Sequence, residues 1–302
     1  MSNKPDDLLQ RWADAWRGEP HALVRAGATL LAYASGYVAG AASFAWLLRH
    51  VVVVAWPDPA GWGREALRLL DVGVTFGAAL AAFLVARRAL GGTRAPLLRV
   101  AASRARRVDA IVAALLWWTA SLAIVLALGD LDRLGARLQS YPATAWSTLA
   151  ALALLLVGLQ ATSEELVFRG YLLPRLAVRL PSVAAVGVSA LAFAAAHPSP
   201  GLWGGMLVTW FGVVFGVATW RSGSVWPAIG LHVSHNVLQI LLAPGVPVGA
   251  AEFAAYAGAA LLWLGWIEWL RRRRARVQRL RVTDRPSPMP RARCQSARDC
   301  AG

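Results

Sequence analysis

Eight long apolar segments alternate with short polar ones along the chain. Several approach the roughly 20 residues that a helix needs to cross about 30 Å of hydrocarbon. They are rich in Ala, Leu, Val and Gly and show no alternation with a period of two, which favours helices over a β-barrel. The pattern therefore predicts an all-α polytopic membrane protein with about eight transmembrane helices. The apolar segments are residues 26–48, 66–86, 110–128, 145–163, 183–197, 203–220, 225–243 and 250–270.

The composition agrees with a membrane protein. Of the 302 residues 57% are hydrophobic and only 16% are charged, and the mean hydropathy is +0.49. A soluble domain has about 25% charged residues, and a disordered chain is far less apolar. Two cysteines, Cys294 and Cys300, exclude a disulfide scaffold. Both lie in the C-terminal tail, where free thiols are expected.

The formal net charge of +15 is concentrated in two segments. Residues 87–107 contain seven arginines and residues 271–302 contain eleven, whereas the loop at 129–144 is balanced and the loop at 244–249 is uncharged. Eight spans with a cytoplasmic N-terminus place both basic segments inside, as the positive-inside rule requires. The sequence thus predicts a multi-pass integral membrane protein with both termini cytoplasmic. The arginines are expected to contact the anionic lipid bilayer, not nucleic acid.

These patterns divide the chain into five parts. No pattern of a cleavable signal peptide is seen at the N-terminus, so this segment is expected to stay in the cytoplasm. The basic tail is expected to be disordered. The parts are 1–25, the cytoplasmic N-terminal segment; 26–144, the first transmembrane helices with the basic inner loop 87–107; 145–245, the core that carries the chemistry; 246–270, the last transmembrane helix; and 271–302, the basic tail.

Ionisable residues within the apolar region are few and clustered. Glu164 and Glu165 are the only acidic residues between Asp132 and Glu252. Ionisable groups inside a membrane are costly and usually mark a pathway or a site. The second half of the membrane region is therefore the expected location of function. The same stretch contains three of the five histidines, His197, His232 and His235, and one of the two asparagines, Asn236.

Helical spacing relates several of these groups. Glu165 and Arg169 are four residues apart and share a helix face, so a buried ion pair is expected, whose role is either structural or supporting. His232 and Asn236 are also four residues apart. At 1.5 Å per residue Glu164 is expected roughly 12 Å from the cytoplasmic face, His232 roughly 10 Å and Asn236 roughly 16 Å. His197 is expected deeper, at about 22 Å. These groups could converge in a cavity that is open to the cytoplasm.

A carboxylate, two imidazoles and an amide suit hydrolysis. Glutamate can act as a general base towards water, and a histidine with an asparagine can stabilise a tetrahedral oxyanion. Glu164, His197 and His232 could instead bind a zinc ion with water in the open position, so a single divalent metal remains an alternative. The chain contains no HExxH motif, which excludes the zincin arrangement. It also lacks the Gly-x-Ser-Gly and Gly-x-Gly-Asp motifs of serine and aspartyl intramembrane proteases.

Three motifs in this region resemble those of the CAAX protease and bacteriocin-processing (CPBP, or Abi) family of intramembrane endopeptidases, which includes the type II CAAX prenyl endopeptidases. The first is EELVFRGYL at 164–172, which resembles EExxxR. The second is FAAAH at 193–197, which resembles FxxxH. The third is HVSHN at 232–236, which resembles HxxxN. The resemblance covers roughly 145–245.

The resemblance implies a role for each motif residue. Glu164 would activate the hydrolytic water with His197 as its partner, and His232 and Asn236 would stabilise the oxyanion. Glu165 and Arg169 would support the site. The enzyme would be glutamate- or metal-dependent and its substrate a peptide or protein, which in eukaryotic members is prenylated. His235 occupies a position outside the motif.

Two other functions remain compatible with the residues. A membrane immunity or scaffold protein of the same fold would bind a peptide without cleaving it. A small-molecule transporter would also carry buried charges within helices, although the chain shows no inverted repeat.

Overall fold

The protein is a bundle of helices. The structure, a computed structural model, describes residues 8–14, 21–52, 61–90, 104–128, 131–197, 201–242 and 248–283. The prediction of an all-α fold is confirmed for these residues. The helices are α1 Leu8–Asp14, α2 Ala22–Leu47, α3 Gly61–Ala89, α4 Arg104–Leu128, α5 Leu131–Gln139, α6 Ala143–Ala177, α7 Ser182–Ala195, α8 Gly201–Ser222, α9 Trp226–Leu242 and α10 Ala250–Thr283.

Six helices in the described ranges are long and apolar enough to cross a membrane: α2, α3, α4, α6, α8 and α10. The other two predicted spans coincide with α7 and α9, which have 14 and 17 residues. At 1.5 Å per residue these helices are about 21 and 26 Å long, shorter than the hydrocarbon core of about 30 Å. The chain is thus a multi-pass integral membrane protein, whereas the count of eight full-length spans is not confirmed.

The last helix extends into the segment that the sequence assigns to the basic tail. α10 continues through Thr283, well past residue 270. Arginine is a good helix former, and Glu268 accepts hydrogen bonds of 2.8 Å from both Arg271 and Arg272 on the following turn. Residues 284–302, which include both cysteines, lie outside the described residues, as do residues 91–103 of the basic loop.

α6 is interrupted by two π-helical turns, Ala153–Val157 and Leu166–Leu172. A π turn hydrogen-bonds over five residues, is rare, and is frequent at functional sites. The second turn begins directly after Glu165 and contains Arg169. The first motif therefore spans the change from α to π geometry.

α1 packs across one end of the bundle, which we call the α1 end. Leu9 and Trp12 are at most 1% exposed. They share a buried cluster with Leu173, near the end of α6, and Val225, in the turn before α9. The end of the bundle at which α6 and α8 stop and α7 and α9 begin is therefore closed by apolar packing.

Arg137 of α5 joins three elements at the opposite end, which we call the α5 end. Its guanidinium donates to both carboxylate oxygens of Glu65, at the start of α3, over 2.6 and 2.5 Å. Its Nε donates to the carbonyl of Leu241, near the end of α9, over 3.1 Å. Such bidentate pairs are among the stronger charge-assisted hydrogen bonds. The start of α3 and the end of α9 are thereby held at α5.

α2 and α3 approach each other closely because α2 has glycines where they cross. A Cβ atom at Gly36 would lie 2.7 Å from the Cβ of Ala82 and 2.8 Å from the carbonyl oxygen of Ala78. A Cβ atom at Gly40 would lie 2.8 Å from the Cα of Thr75. Small residues spaced by four allow this contact in membranes, where association depends on van der Waals packing.

Replacing Gly36 by leucine is expected to lower the free energy of unfolding by about 1–3 kcal/mol, because the new side chain collides with the backbone of α3. The melting temperature of the protein purified in detergent measures the loss. Gly27→Leu, on the same helix, is the matched control because a Cβ atom there meets no atom within 4 Å. An equal loss in both variants would contradict the close α2–α3 contact.

Candidate active site

Glu164 lies at the centre of the cluster of polar residues and is 2% exposed. Its Oε2 lies 3.1 Å from Nε2 of His197 and 3.7 Å from Nε2 of His232. Its Oε1 accepts a hydrogen bond of 3.3 Å from the side-chain amide of Gln160, one turn earlier on α6. One carboxylate oxygen is therefore anchored to its own helix and the other faces two imidazoles.

His197 lies two residues beyond the end of α7, and its ring contacts a backbone carbonyl of that helix. Its Nδ1 lies 2.7 Å from the carbonyl oxygen of Phe193, which can only accept, so Nδ1 carries a hydrogen. The remaining contact, between Nε2 and Glu164, needs one proton, since neither group can donate without it. His197 and Glu164 thus share one proton, either as imidazolium and carboxylate or as imidazole and carboxylic acid.

His232 is held by the second carboxylate. Its Nδ1 lies 2.9 Å from Oε1 of Glu165 and its ring stacks on Phe215 at 5.0 Å. The Nδ1–H group donates to the Glu165 carboxylate, which leaves Nε2 facing Glu164. With Nδ1 donating to Glu165, an Nε2–H donor exists only in the imidazolium form of His232.

Glu165 and Arg169 form a fully buried ion pair. Arg169 Nη1 donates to Glu165 Oε1 over 3.1 Å, and both side chains are 0% exposed. Arg169 Nη2 donates to the carbonyl of Gly212 on α8 over 3.1 Å, and the guanidinium lies 4.3 Å from the ring centre of Phe193. The pair expected from the four-residue spacing is present, and it links α6 to both α7 and α8.

Gly212 is required at this crossing. A Cβ atom there would lie 3.0 Å from the Cα and 3.0 Å from the carbonyl oxygen of Ala190 on α7. The absence of a side chain lets α7 and α8 approach closely while the Gly212 carbonyl points to Arg169. Gly212 therefore serves both the contact between α7 and α8 and the hydrogen bond that holds Arg169.

A cavity of about 270 Å³ adjoins these groups. Asn236, one turn after His232, lines it and has no hydrogen-bond partner among the described residues. Gln160 and Gln239 line the cavity too, and sequence reasoning missed both. Gln160 is four residues before Glu164, a spacing that could have indicated it, whereas nothing in the sequence singled out Gln239. The apolar walls are formed by Phe193, Gly204, Leu207, Val208, Phe211, Phe215 and Val248.

His235 points into an aromatic cluster at the cavity wall. Its ring centre lies 4.6 Å from that of Phe211, 5.2 Å from that of Tyr256 and 6.3 Å from that of Trp117. Its Nδ1 is buried and has no hydrogen-bond partner among the described residues. The ring therefore packs as a flat wall group and does not contact Glu164.

The structure brings the predicted residues together although the depths expected from the sequence differed. The estimate for Glu164 assumed that its helix ends near residue 172, but α6 continues to Ala177. Counted from Ala177, Glu164 lies about 20 Å along the helix, close to the value of about 22 Å for His197. The depth of His232 was counted from residue 225 as if that residue lay at the membrane surface. Val225 is instead fully buried, in the cluster that it shares with α1.

The zinc alternative can be tested against the donor geometry. A zinc site needs the carboxylate oxygen and both ring nitrogens to point at one centre about 2.0–2.2 Å from each donor. Here Nε2 of His197 lies 3.1 Å and Nε2 of His232 lies 3.7 Å from Glu164 Oε2 itself. The contact of His232 Nδ1 with Glu165 is one that zinc-ligating histidines also make. In the part of the chain that the structure describes, no group of three or more His, Cys, Asp or Glu is arranged to hold a metal ion.

Comparison with protein families agrees with the three motifs. Residues 145–238 match the family model described as Type II CAAX prenyl endopeptidase Rce1-like. The match covers 94 of the 302 residues, the part of the chain that carries the three motifs. It includes Glu164, His197 and Asn236, and it excludes α1 to α5 and α10. Neither the curated proteins nor the solved structures gave a match to the chain.

Replacing Arg169 by glutamine is expected to cost about 3–5 kcal/mol in the free energy of unfolding, because Glu165 then stays buried without its cation. Thermal melting in detergent gives the measurement. Arg179→Gln is the matched control, since Arg179 is exposed just beyond α6. If both variants melt at the same temperature, the buried pair does not stabilise the fold.

Proposed function

We propose that the protein is an intramembrane endopeptidase that hydrolyses peptide bonds with water activated by Glu164 and His197. The observation that carries the proposal is the position of Glu164 Oε2, which faces Nε2 of both His197 and His232 beside a cavity. The Rce1-like match supports this class of activity. A scaffold would not need a proton shared between two groups at a cavity wall.

The reaction begins with a water molecule that donates a hydrogen bond to the Glu164 carboxylate, which His197 holds in place. This pair accepts the proton as the water oxygen attacks the carbonyl carbon of the substrate, which gives a tetrahedral intermediate with a negative oxygen. The Nε2–H of His232 and the side-chain NH₂ of Asn236 then donate to that oxygen. The same proton passes from Glu164 or His197 to the leaving amine, and the peptide bond breaks.

Glu165 and Arg169 act behind these groups. The Glu165 carboxylate fixes the orientation of the His232 ring, and Arg169 neutralises the carboxylate. Both side chains are fully buried, so neither touches a substrate. They are positioning residues in this proposal.

Glu164→Gln and His197→Ala are expected to lower the cleavage rate by about 10²–10⁴, because each removes the group that takes the proton. Cleavage of membrane peptides by purified protein in liposomes, read by mass spectrometry, measures the rate. Glu268→Gln and His50→Ala are matched controls at sites remote from the cavity. Undiminished cleavage in both site variants would refute the assignment, and binding without cleavage in the unaltered protein would favour a scaffold.

Gln160→Leu is expected to reduce kcat about five-fold, which corresponds to one hydrogen bond of about 1 kcal/mol. The amide anchors Glu164 Oε1, so its loss leaves the carboxylate free to turn away from His197. Gln139→Leu, on the exposed end of α5, is the control. A kcat of Gln160→Leu equal to that of the control would mean that the hydrogen bond to Glu164 does not contribute to the reaction.

A further inference from the structure

The cavity beside Glu164 extends towards the α5 end of the bundle. Gly204 lies in the first turn of α8, Gln239 in the last turn of α9, and Val248 just before α10. These helix ends meet at the α5 end, where Arg137 donates to the carbonyl of Leu241. Among the described residues, the mouth of the cavity is therefore formed by the α8 start, the α9 end and Val248.

The path from Glu164 towards the α1 end is filled. Arg169 and Tyr171 follow Glu165 on α6 and are at most 1% exposed. Beyond them Leu173 is fully buried under Trp12 of α1, in the cluster that closes this end. Across the described residues, then, the side chains near Glu164 are packed on the α1 side and line a cavity on the α5 side.

The described arginines at the borders of the two basic segments lie at the α1 end. Phe83 of α3 contacts Tyr171 at a ring distance of 5.2 Å, so Arg87 and Arg88 at the end of α3 lie at the α1 end. Glu268 of α10 interacts electrostatically with Arg221, at the end of α8, and pairs with Arg271. The α10 arginines consequently belong to the same end.

The α5 end has a different charge balance. In the described ranges this end carries five arginines, Arg49, Arg64, Arg68, Arg133 and Arg137, whereas the basic segments 87–107 and 271–302 contain seven and eleven. Loops with the larger number of Lys and Arg stay in the cytoplasm, and acidic residues contribute little. The charges therefore orient the α1 end towards the cytoplasm and the α5 end away from it.

We infer that the site is entered from the extracytoplasmic side of the membrane and accepts peptide or protein segments presented there. The substrate class rests on the proposed hydrolase function, whereas the side of entry rests on the helix directions and the charges alone. The sequence predicted cytoplasmic termini together with a cavity open to the cytoplasm. In this fold those two expectations exclude each other, because α1 and the end of α10 lie opposite the end towards which the cavity extends.

Cysteine accessibility tests the side of entry without any need for catalysis. Cys294 and Cys300 are replaced by serine, since they are the only two cysteines in the chain. Single cysteines are then introduced as Val248→Cys at the mouth, Ser140→Cys at the exposed α5 end and Arg272→Cys on α10. Each full-length protein is treated with a membrane-impermeant maleimide in right-side-out and in inverted vesicles of the expression host.

The expected result is several-fold stronger labelling of the Val248→Cys and Ser140→Cys proteins in right-side-out vesicles, and the reverse for Arg272→Cys. The opposite pattern would overturn the inference, as would Val248→Cys that labels in neither preparation while Ser140→Cys labels normally. If labelling follows the expectation but Glu164→Gln leaves cleavage intact, the side of entry stands and the proposed hydrolase mechanism fails.

Discussion

Two adjacent carboxylates buried in an apolar bundle determine how the rest of the site is built. Each would cost several kcal/mol inside a membrane protein if it were left uncompensated. Glu165 is balanced by Arg169 and Glu164 shares a proton with His197, while Arg169 needs the further acceptor at Gly212. These contacts form only if α6, α7 and α8 pack together at the depth of the two carboxylates. The site geometry is therefore also the condition under which the charges can be buried.

The sequence was sufficient to predict an all-α membrane protein, because apolar composition specifies a membrane helix within its own segment, although only six of the described helices are long enough to cross. That Glu164, His197 and His232 act together was implied by the resemblance of the three motifs and not by any local pattern. The end of the helix that carries Glu164 was misjudged since α6 passes through Pro174, an ordinary place for a helix to stop. The π turn Leu166–Leu172 ends two positions before this proline, and local π geometry lets membrane helices tolerate prolines.

The direction of the cavity was beyond sequence reasoning because it depends on packing between distant segments. α1 has seven residues, and its side chains Leu9 and Trp12 close the bundle against residues more than 150 positions away. No periodicity in α6 or α9 indicates which end such a segment will cover. Gln160, by contrast, follows from helix spacing once Glu164 is recognised as the centre of the site.

The dual role of Gly212 separates the parts of the site that can vary from the part that cannot. Leu207 and Val208 on the same helix face the cavity, so exchanges there alter its shape and leave the charges in place. A side chain at 212 would separate α7 from α8 and withdraw the carbonyl that holds Arg169. The first turns of α8 therefore set the shape of the cavity wall, and its middle turn supports the buried ion pair.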